Sequence, residues 1–275
     1  MTLADNQQLT TNMNVFIMTD LEAVAGVSSF LEHTYPEAKY YDECKKLLTA
    51  EVNAAVDGLL EAGAEDVLVM DGHGPGGMWF QDLHVEARLI HGRPLDPKWI
   101  DLLEDRDVAM FIGQHAMAGV QDGNLNHTMS SQHVDYYKLN GELIGEIAHF
   151  ALVAGSYGVP TIYLSGDEAA CREIEELIPG VITTAVKRGL SRNSAISVSA
   201  GRAHQLIREG VKRAVEHHRQ EPIAPLVWEG PFEFEKRFFQ SDFADDYAKR
   251  KGIERVDSQT IRIRSDDIRD ALCGH

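Results

Sequence analysis

The sequence predicts an α/β fold: a mostly parallel, Rossmann-like sheet flanked by helices, with a smaller α+β C-terminal portion. Two observations carry this. Short apolar runs of strand character alternate with segments of helical spacing from residue 14 to about 219, the pattern of a parallel sheet covered on both faces. Beyond about residue 222 the order becomes strand, helix, strand, helix, after a segment with two prolines, EPIAPL.

NVFIMT (14–19) opens as a strand. Residues 38–62 read as a helix because Leu48, Val52, Ala55, Val56 and Leu59 recur on one face, with Pro36 before it and Gly63 closing it. DVLVMD (66–71) is a second strand, broken by GHGPGG. ARLIHG (87–92) and DVAMFIG (107–113) continue as strands, and a Gly- and polar-rich loop runs from 113 to about 133. VDYYKLNGELIG (134–145) reads as a hairpin around Asn140-Gly141 that runs into the helix EIAHFALVAGSYG. Strand PTIYLSGD (160–167), helix EAACREIEELIPG, strand VITTAV (181–186) and a helix over 199–219 follow. The tail reads PLVWEGPFEFE, SDFADDYAKRKG, RVDSQTIRIR and DDIRDALCG as strand, helix, strand, helix. The expected organisation is a flexible N-terminus (1–13), a main α/β domain (14–220) and a C-terminal α+β subdomain (221–275).

Composition excludes several classes. A formal charge of −17 argues against nucleic acid, whose binding rests on Lys and Arg neutralising phosphates, and against an acidic membrane surface. Cys44, Cys171 and Cys273 are scattered and form no CxxC, which suits a reducing compartment and makes neither a disulfide framework nor a thiolate metal site. Residues 1–13 have no basic or apolar region of a signal peptide, and no apolar run approaches the ~20 residues that span a bilayer. A cytoplasmic location is expected.

In an open parallel sheet, ligands bind beyond the carboxyl ends of the strands. Those ends carry Asp20 and Glu22, then Asp71-Gly72-His73, then Gly113-Gln114-His115; the next loop adds His127, and the helix after the hairpin starts at Glu146. Asp20 and Glu22, at i and i+2, would share a strand face, where two buried charges repel and are poorly solvated. Carboxylates with imidazoles are a ligand mixture for zinc or a similar divalent ion. Asp20, Glu22, His73, His115 and Glu146 suit a two-metal site with one bridging carboxylate and ions ~3.5–4 Å apart. Taken singly, each has an ordinary role: Asp20 as a cap, Glu22 as a solvated loop residue, either histidine as a hydrogen-bonded loop residue, Glu146 as a first-turn carboxylate. Their shared placement is what favours a metal. His33, His84, His91, His133, His149, His204, His217, His218 and His275 lack that placement, although His133 is near in sequence.

GHGPGG formally satisfies GxGxxG, but it contains Pro75, precedes a poor helix start and follows the second strand rather than the first. Its glycines fit a tight backbone turn around His73 better. There is no GxSxG elbow, and no cysteine sits at a strand end beside a histidine.

These residues resemble the DppA-like D-aminopeptidases, self-compartmentalising zinc peptidases of dipeptide-transport operons. The likeness covers approximately residues 14–200, through MTDLEAVAG, LVMDGHG, FIGQHAMAG, NLNHTM, NGELIGEIA, VPTIYLSGD and EELIPGVITTAVKRGLSR. It implies a dinuclear zinc site, with Asp20 bridging, Glu22 and His73 on one ion, His115 and Glu146 on the other, and His127 as the catalytic histidine. The family describes that histidine as a nucleophile; chemically, an acid–base or transition-state-stabilising role suits His127 better. The resemblance also implies a homodecamer of two stacked pentameric rings enclosing a channel. Where the family reads Ser-x-Asp-x-Glu-Gly, this chain has Met18 and Ala23 at the outer positions, which keeps the acids and changes their surroundings.

The expected function is a cytoplasmic dinuclear zinc aminopeptidase, taking the N-terminal residue from short peptides, with D-aminoacyl, L-aminoacyl and non-peptide amide substrates all open. One alternative is a dinuclear metallohydrolase of a non-peptide amide or lactam. A phosphoester is less favoured, because the strand-end loops offer Asn124 and Asn126 but few basic residues. An alternative of another class is a metal-free Rossmann-like protein that holds a small anionic ligand at GHGPGG.

Overall fold

The computed structural model describes residues 13–274. The flexible segment expected over 1–13 lies outside the described residues except for Met13, which opens the first strand, and His275 also lies outside them. The elements run β1 (Met13–Thr19), α1 (Tyr41–Glu61), β2 (Ala64–Asp71), β3 (Ala87–Ile90), β4 (Val108–Gln114), β5 (Val134–Leu139), β6 (Glu142–Ile144), α2 (Glu146–Ser156) and β7 (Thr161–Asp167). They continue with α3 (Glu168–Leu177), β8 (Ile182–Ser191), β9 (Ser194–Ser197), α4 (Ala200–Gln220), β10 (Phe232–Phe238), α5 (Ser241–Tyr247), β11 (Ile253–Arg255), β12 (Thr260–Ser265) and α6 (Ile268–Cys273).

Seven strands form one sheet in the order β3-β2-β1-β4-β7-β8-β9, parallel throughout except for the β8–β9 pair. The chain steps outward from β1 to β3, then returns to lay β4 on the other side of β1. That reversal opens a crevice beyond the carboxyl ends of β1 and β4, where open α/β sheets bind ligands. Every residue of β4 and β7 is buried, as strands covered on both faces are. Helix α1 packs on α4, while α2 packs on α3 and α6. The apolar face predicted for α1 is the one buried: Leu48, Val52, Ala55, Val56 and Leu59 are all solvent-free. The helix ends where expected, with Gly63 at φ +86°, although it begins at Tyr41 rather than residue 38.

The second sheet is antiparallel, in the order β11-β12-β10-β5-β6. The hairpin around Asn140-Gly141 forms as predicted, and it hydrogen-bonds to β10 from the C-terminal segment: Phe234 lies opposite Leu139 and Lys236 opposite Tyr137. The strand expected over VITTAV runs on to Ser191 and folds back through β9, a hairpin that was not anticipated. Within PLVWEGPFEFE only Phe232 onward is strand, and RVDSQTIRIR splits into β11 and β12 around a turn. Among the described residues no helix is long and apolar enough to cross a membrane.

Candidate metal centre

Strand β1 stops at Thr19, so Asp20 and Glu22 are not on one face of a strand as their spacing implied. A turn carries them instead. It continues alongside β4, with Asp20 N donating to Ile112 O (2.9 Å) and Ala23 N to Gly113 O (3.0 Å). Gly113, at φ +78°, is required here, because a Cβ would run into the Asp20 carbonyl. Two buried titratable side chains from other elements pin the turn. Glu51 of α1 accepts from Ala25 N at 2.9 Å, and Lys187 of β8 donates to the carbonyls of Glu22 and Val27.

His73 follows β2 in the irregular GHGPGG segment, which opens no helix. Asp71 gathers that segment by accepting from Gly77 N (2.7 Å) and Met78 N (3.3 Å). Arg93 clamps it from outside, donating to the carbonyls of Asp71, His73 and Gly74. The glycines therefore shape a loop around a histidine, with the Gly77 and Met78 N–H groups taken by Asp71 and three of its carbonyls by Arg93.

His115 follows β4, and His127 hangs from the long loop over 113–133. That loop is buried over residues 123–128 and tied internally: Asn126 Nδ2 donates to the carbonyls of Val120 and Gly123, its Oδ1 accepts from Gly119 N, and Thr128 Oγ1 accepts from Ala118 N. Leu125 and Met129, which bracket His127, hold positive φ values of 55° and 60°. Such strained backbone persists where its surroundings impose it. Met129 N donates to Glu146 Oε1 at 2.7 Å, which joins the loop to the start of α2.

All six predicted site residues come together. The ligating atoms of Asp20, Glu22 and His73 lie within 4.8 Å of one another, as do those of His115, His127 and Glu146. Asp20 faces both groups, with Oδ1 3.3 Å from His73 Nδ1 and Oδ2 3.0 Å from His115 Nε2. Glu22 Oε2 is 2.9 Å from His73 Nδ1, and Glu146 Oε1 is 3.4 Å from His115 Nε2 and 3.7 Å from His127 Nε2. A cleft of about 370 Å³ opens over Asp20, Glu22, His73, His127 and Glu146, and among the described residues no Lys or Arg lines it.

The donor set fits a metal. Each imidazole points one nitrogen at a main-chain carbonyl: His73 Nε2 at Thr34 O (2.8 Å), His115 Nδ1 at Ala116 O (2.8 Å), His127 Nδ1 at Leu125 O (2.9 Å). Such bonds place the ring proton there and turn the other nitrogen's lone pair toward the carboxylates. Asp20 Oδ2, Glu22 Oε2 and His115 Nε2 are buried with no aligned hydrogen bond, their close approaches being to one another and to His73 Nδ1. Lone pairs set this close repel unless protons or cations lie between them.

Without a metal, protons fill that role. Burial pushes Asp20 up, but His115 and His73 outweigh it and hold the carboxyl well below its usual range. Burial pushes His73 down, and Glu22 and Asp20 overturn this and raise it well above the ordinary imidazole value; Glu146 and Asp20 do the same for His115. Burial and then Asp20 lift Glu22 to about 7. His127 goes the other way, driven to about 4 by burial and then by His115. The sequence reading missed the supports, Glu51, Lys187, Arg93 and Asp167. Asp167 closes β7 and accepts from Asn124 N (2.7 Å) and Gly189 N (3.2 Å), so the strand-end rule that found the other acids also points to it. The remaining described histidines lie outside both groups: His133, for instance, packs its ring 4.4 Å from Phe243.

Comparison with known proteins identifies the family. The curated D-aminopeptidase of Bacillus subtilis (strain 168) is 32% identical over 222 residues, covering 78% of this chain and 77% of that one. A solved structure, the Zn-dependent D-aminopeptidase DppA from Bacillus subtilis, a self-compartmentalizing protease, superposes with a TM-score of 0.86 at 27% identity over 94% of each chain. The family model for M55 peptidases, D-aminopeptidase, matches residues 13–273. The chain belongs to the M55 peptidases, the D-aminopeptidase family.

Proposed function

We propose that the chain holds two zinc ions and removes the N-terminal residue of short peptides, D-aminoacyl peptides among them. One observation carries this reading: two groups of ligating atoms, buried except at the half-buried Glu146, meet at Asp20, with lone pairs turned toward one another. Glu22 and His73 would hold one ion, His115 and Glu146 the other, and Asp20, which faces both groups, would serve both. Bound there, zinc supplies a Lewis acid for the scissile carbonyl and lowers the pKa of water toward neutrality.

His127 is the proton carrier. Burial keeps its ring neutral, and its Nδ1 proton is committed to Leu125 O, so Nε2 is free to take a proton at the cleft. Glu146, 3.7 Å away, stabilises the imidazolium that results. The proton then passes to the leaving amine, as general acid–base catalysis requires. The substrate's own ammonium suits a cleft walled by carboxylates with no Lys or Arg among its described lining residues, which also disfavours a phosphoester. The relative's self-compartmentalizing character supports assembly into an enclosed homodecamer, and the acidic, disulfide-free composition supports a cytoplasmic location.

A panel of D- and L-aminoacyl amides assayed with zinc-loaded protein tests this. Turnover that a chelator abolishes is expected. Turnover of non-peptide amides or lactams alone would replace the peptidase reading with its metallohydrolase rival, and no turnover of any amide would end both.

A further inference from the structure

A second cavity, of about 180 Å³, adjoins the metal cleft, and the two share Gly72, Met129 and Glu146. Its wall is apolar, formed by Met18, Met70, Leu95, Trp99, Phe111 and Phe150. The aromatic members brace one another: Trp99 stacks on Phe150 at 6.2 Å and 20°, and Phe111 meets Phe150 edge-on at 5.2 Å and 78°. A wall of interlocked rings keeps its shape when the space is vacant of side chain. Its size is informative, since an apolar cavity of roughly 150 Å³ takes a benzene-sized guest.

The polar content of the wall is small and uncharged away from the mouth. Gln114 is 2% exposed, and its Nε2 has no hydrogen-bond partner. His149 Nε2 lies 3.2 Å from Leu272 O, and burial keeps that ring neutral. Glu146 stands at the junction with the metal cleft, and nothing deeper in the wall could pair with a charged guest.

We propose that this cavity receives the side chain of the substrate's N-terminal residue and selects large uncharged side chains, aromatic or branched aliphatic, over alanine and over charged ones. The inference rests on the aminopeptidase reading above, which puts that residue's carbonyl at the metals. Its Cα is one bond from that carbonyl, and Gly72 places no side chain at the junction, so the next cavity along is the one its side chain enters. Gln114 Nε2 is then a spare donor for a guest that carries an acceptor at its tip.

The test is kcat/KM for alanyl, leucyl, phenylalanyl, lysyl and glutamyl amides of both chiralities, with the zinc-loaded full chain. In the chirality that is turned over, leucyl or phenylalanyl should exceed alanyl by at least about tenfold, since one methylene in an apolar pocket already gives roughly 10–200-fold. Lysyl and glutamyl should fall below alanyl. Leu95→Trp, on the half-buried outer wall, should lower the leucyl-to-alanyl ratio at least about tenfold, and the volume-conserving Leu95→Met should keep it. An alanyl amide cleaved as well as leucyl by the native enzyme, or a ratio that Leu95→Trp does not move, overturns the recess and leaves the aminopeptidase standing. No turnover of any amide by protein carrying its zinc overturns both.

Discussion

The rings of His115 and His127 lie 4.0 Å apart and 17° from parallel, and both turn Nε2 toward the same oxygen of Glu146. Each is anchored through Nδ1 to a main-chain carbonyl, so neither can rotate away without losing that bond. Two stacked imidazoles cannot both hold a proton beside one another cheaply. Here His115 sits between Asp20 and Glu146 and is drawn toward the charged form, while burial and His115 itself keep His127 neutral. Neighbouring copies of one residue type are thus electrostatically unlike, as the proposed ligand and proton carrier require.

His127→Ala should reduce turnover by about 10²–10⁴ while zinc content stays at the native level. Zinc measured by mass spectrometry alongside kcat separates the two roles. Loss of zinc together with activity would make His127 a third ligand of its group.

Zinc binding to the metal-free protein near pH 7 should release about two protons per chain, chiefly from His73 and His115. The sign follows from their pKa values, both raised well above the ordinary imidazole value by neighbouring carboxylates, so these rings are protonated before metal enters. Zinc affinity should accordingly weaken as pH falls. Titration calorimetry in buffers of different ionisation enthalpy counts the protons, and a buffer-independent enthalpy would show that none is displaced.

Glu51→Gln should stabilise the protein above pH 7 and do little below pH 4.5. Burial raises the folded-state value of Glu51 from 4.5 to about 7, with the Ala25 N–H and then Lys187 opposing it. Between those values the folded state holds the proton more tightly than the unfolded one, so stability falls as pH rises across the window. The gain at pH 8 is at most about 3 kcal/mol, reduced by whatever the ionised carboxylate returns to Lys187. Gln keeps the acceptor for Ala25 N. Urea melts at pH 5 and pH 8 read the difference, and equal melts at pH 8 would contradict it.

Asp167→Asn should cost about 1–3 kcal/mol, because one of the two main-chain donors that Asp167 satisfies then meets an amide N–H. The loop it ties carries His127, so kcat should fall more than KM rises. A change in KM alone would mean that the loop serves substrate binding rather than proton transfer.

Much of this was legible because the chemistry lies where topology puts it. Reading only the residues at strand ends found Asp20, Glu22, His73 and His115, and the run into α2 found Glu146. Strand alternation does not place Asp20 and Glu22: β1 ends at Thr19, just before them, and the turn that carries them is set by Gly113, Glu51 and Lys187, contacts from three other elements. Lys187 was illegible for a related reason. It sits in a polar run, KRGLS, that does not read as buried strand, and only packing beneath the turn at Glu22 reveals its role. The hairpin around Asn140-Gly141 announced itself by turn chemistry, but its partner β10 lies about ninety residues on, and Asn140 bonds to Glu233 across that gap. Local pattern cannot encode such a pairing.

The central claim is that Asp20 joins two metal sites into one catalytic centre. Zinc per chain, measured across a chelation and reconstitution series with aminoacyl-amide turnover followed in the same samples, tests it most directly. The account predicts about two zinc per chain at full activity, loss of turnover on chelation and its return as zinc is restored. Full turnover by metal-free protein, or saturation at one zinc per chain with full activity, would contradict it.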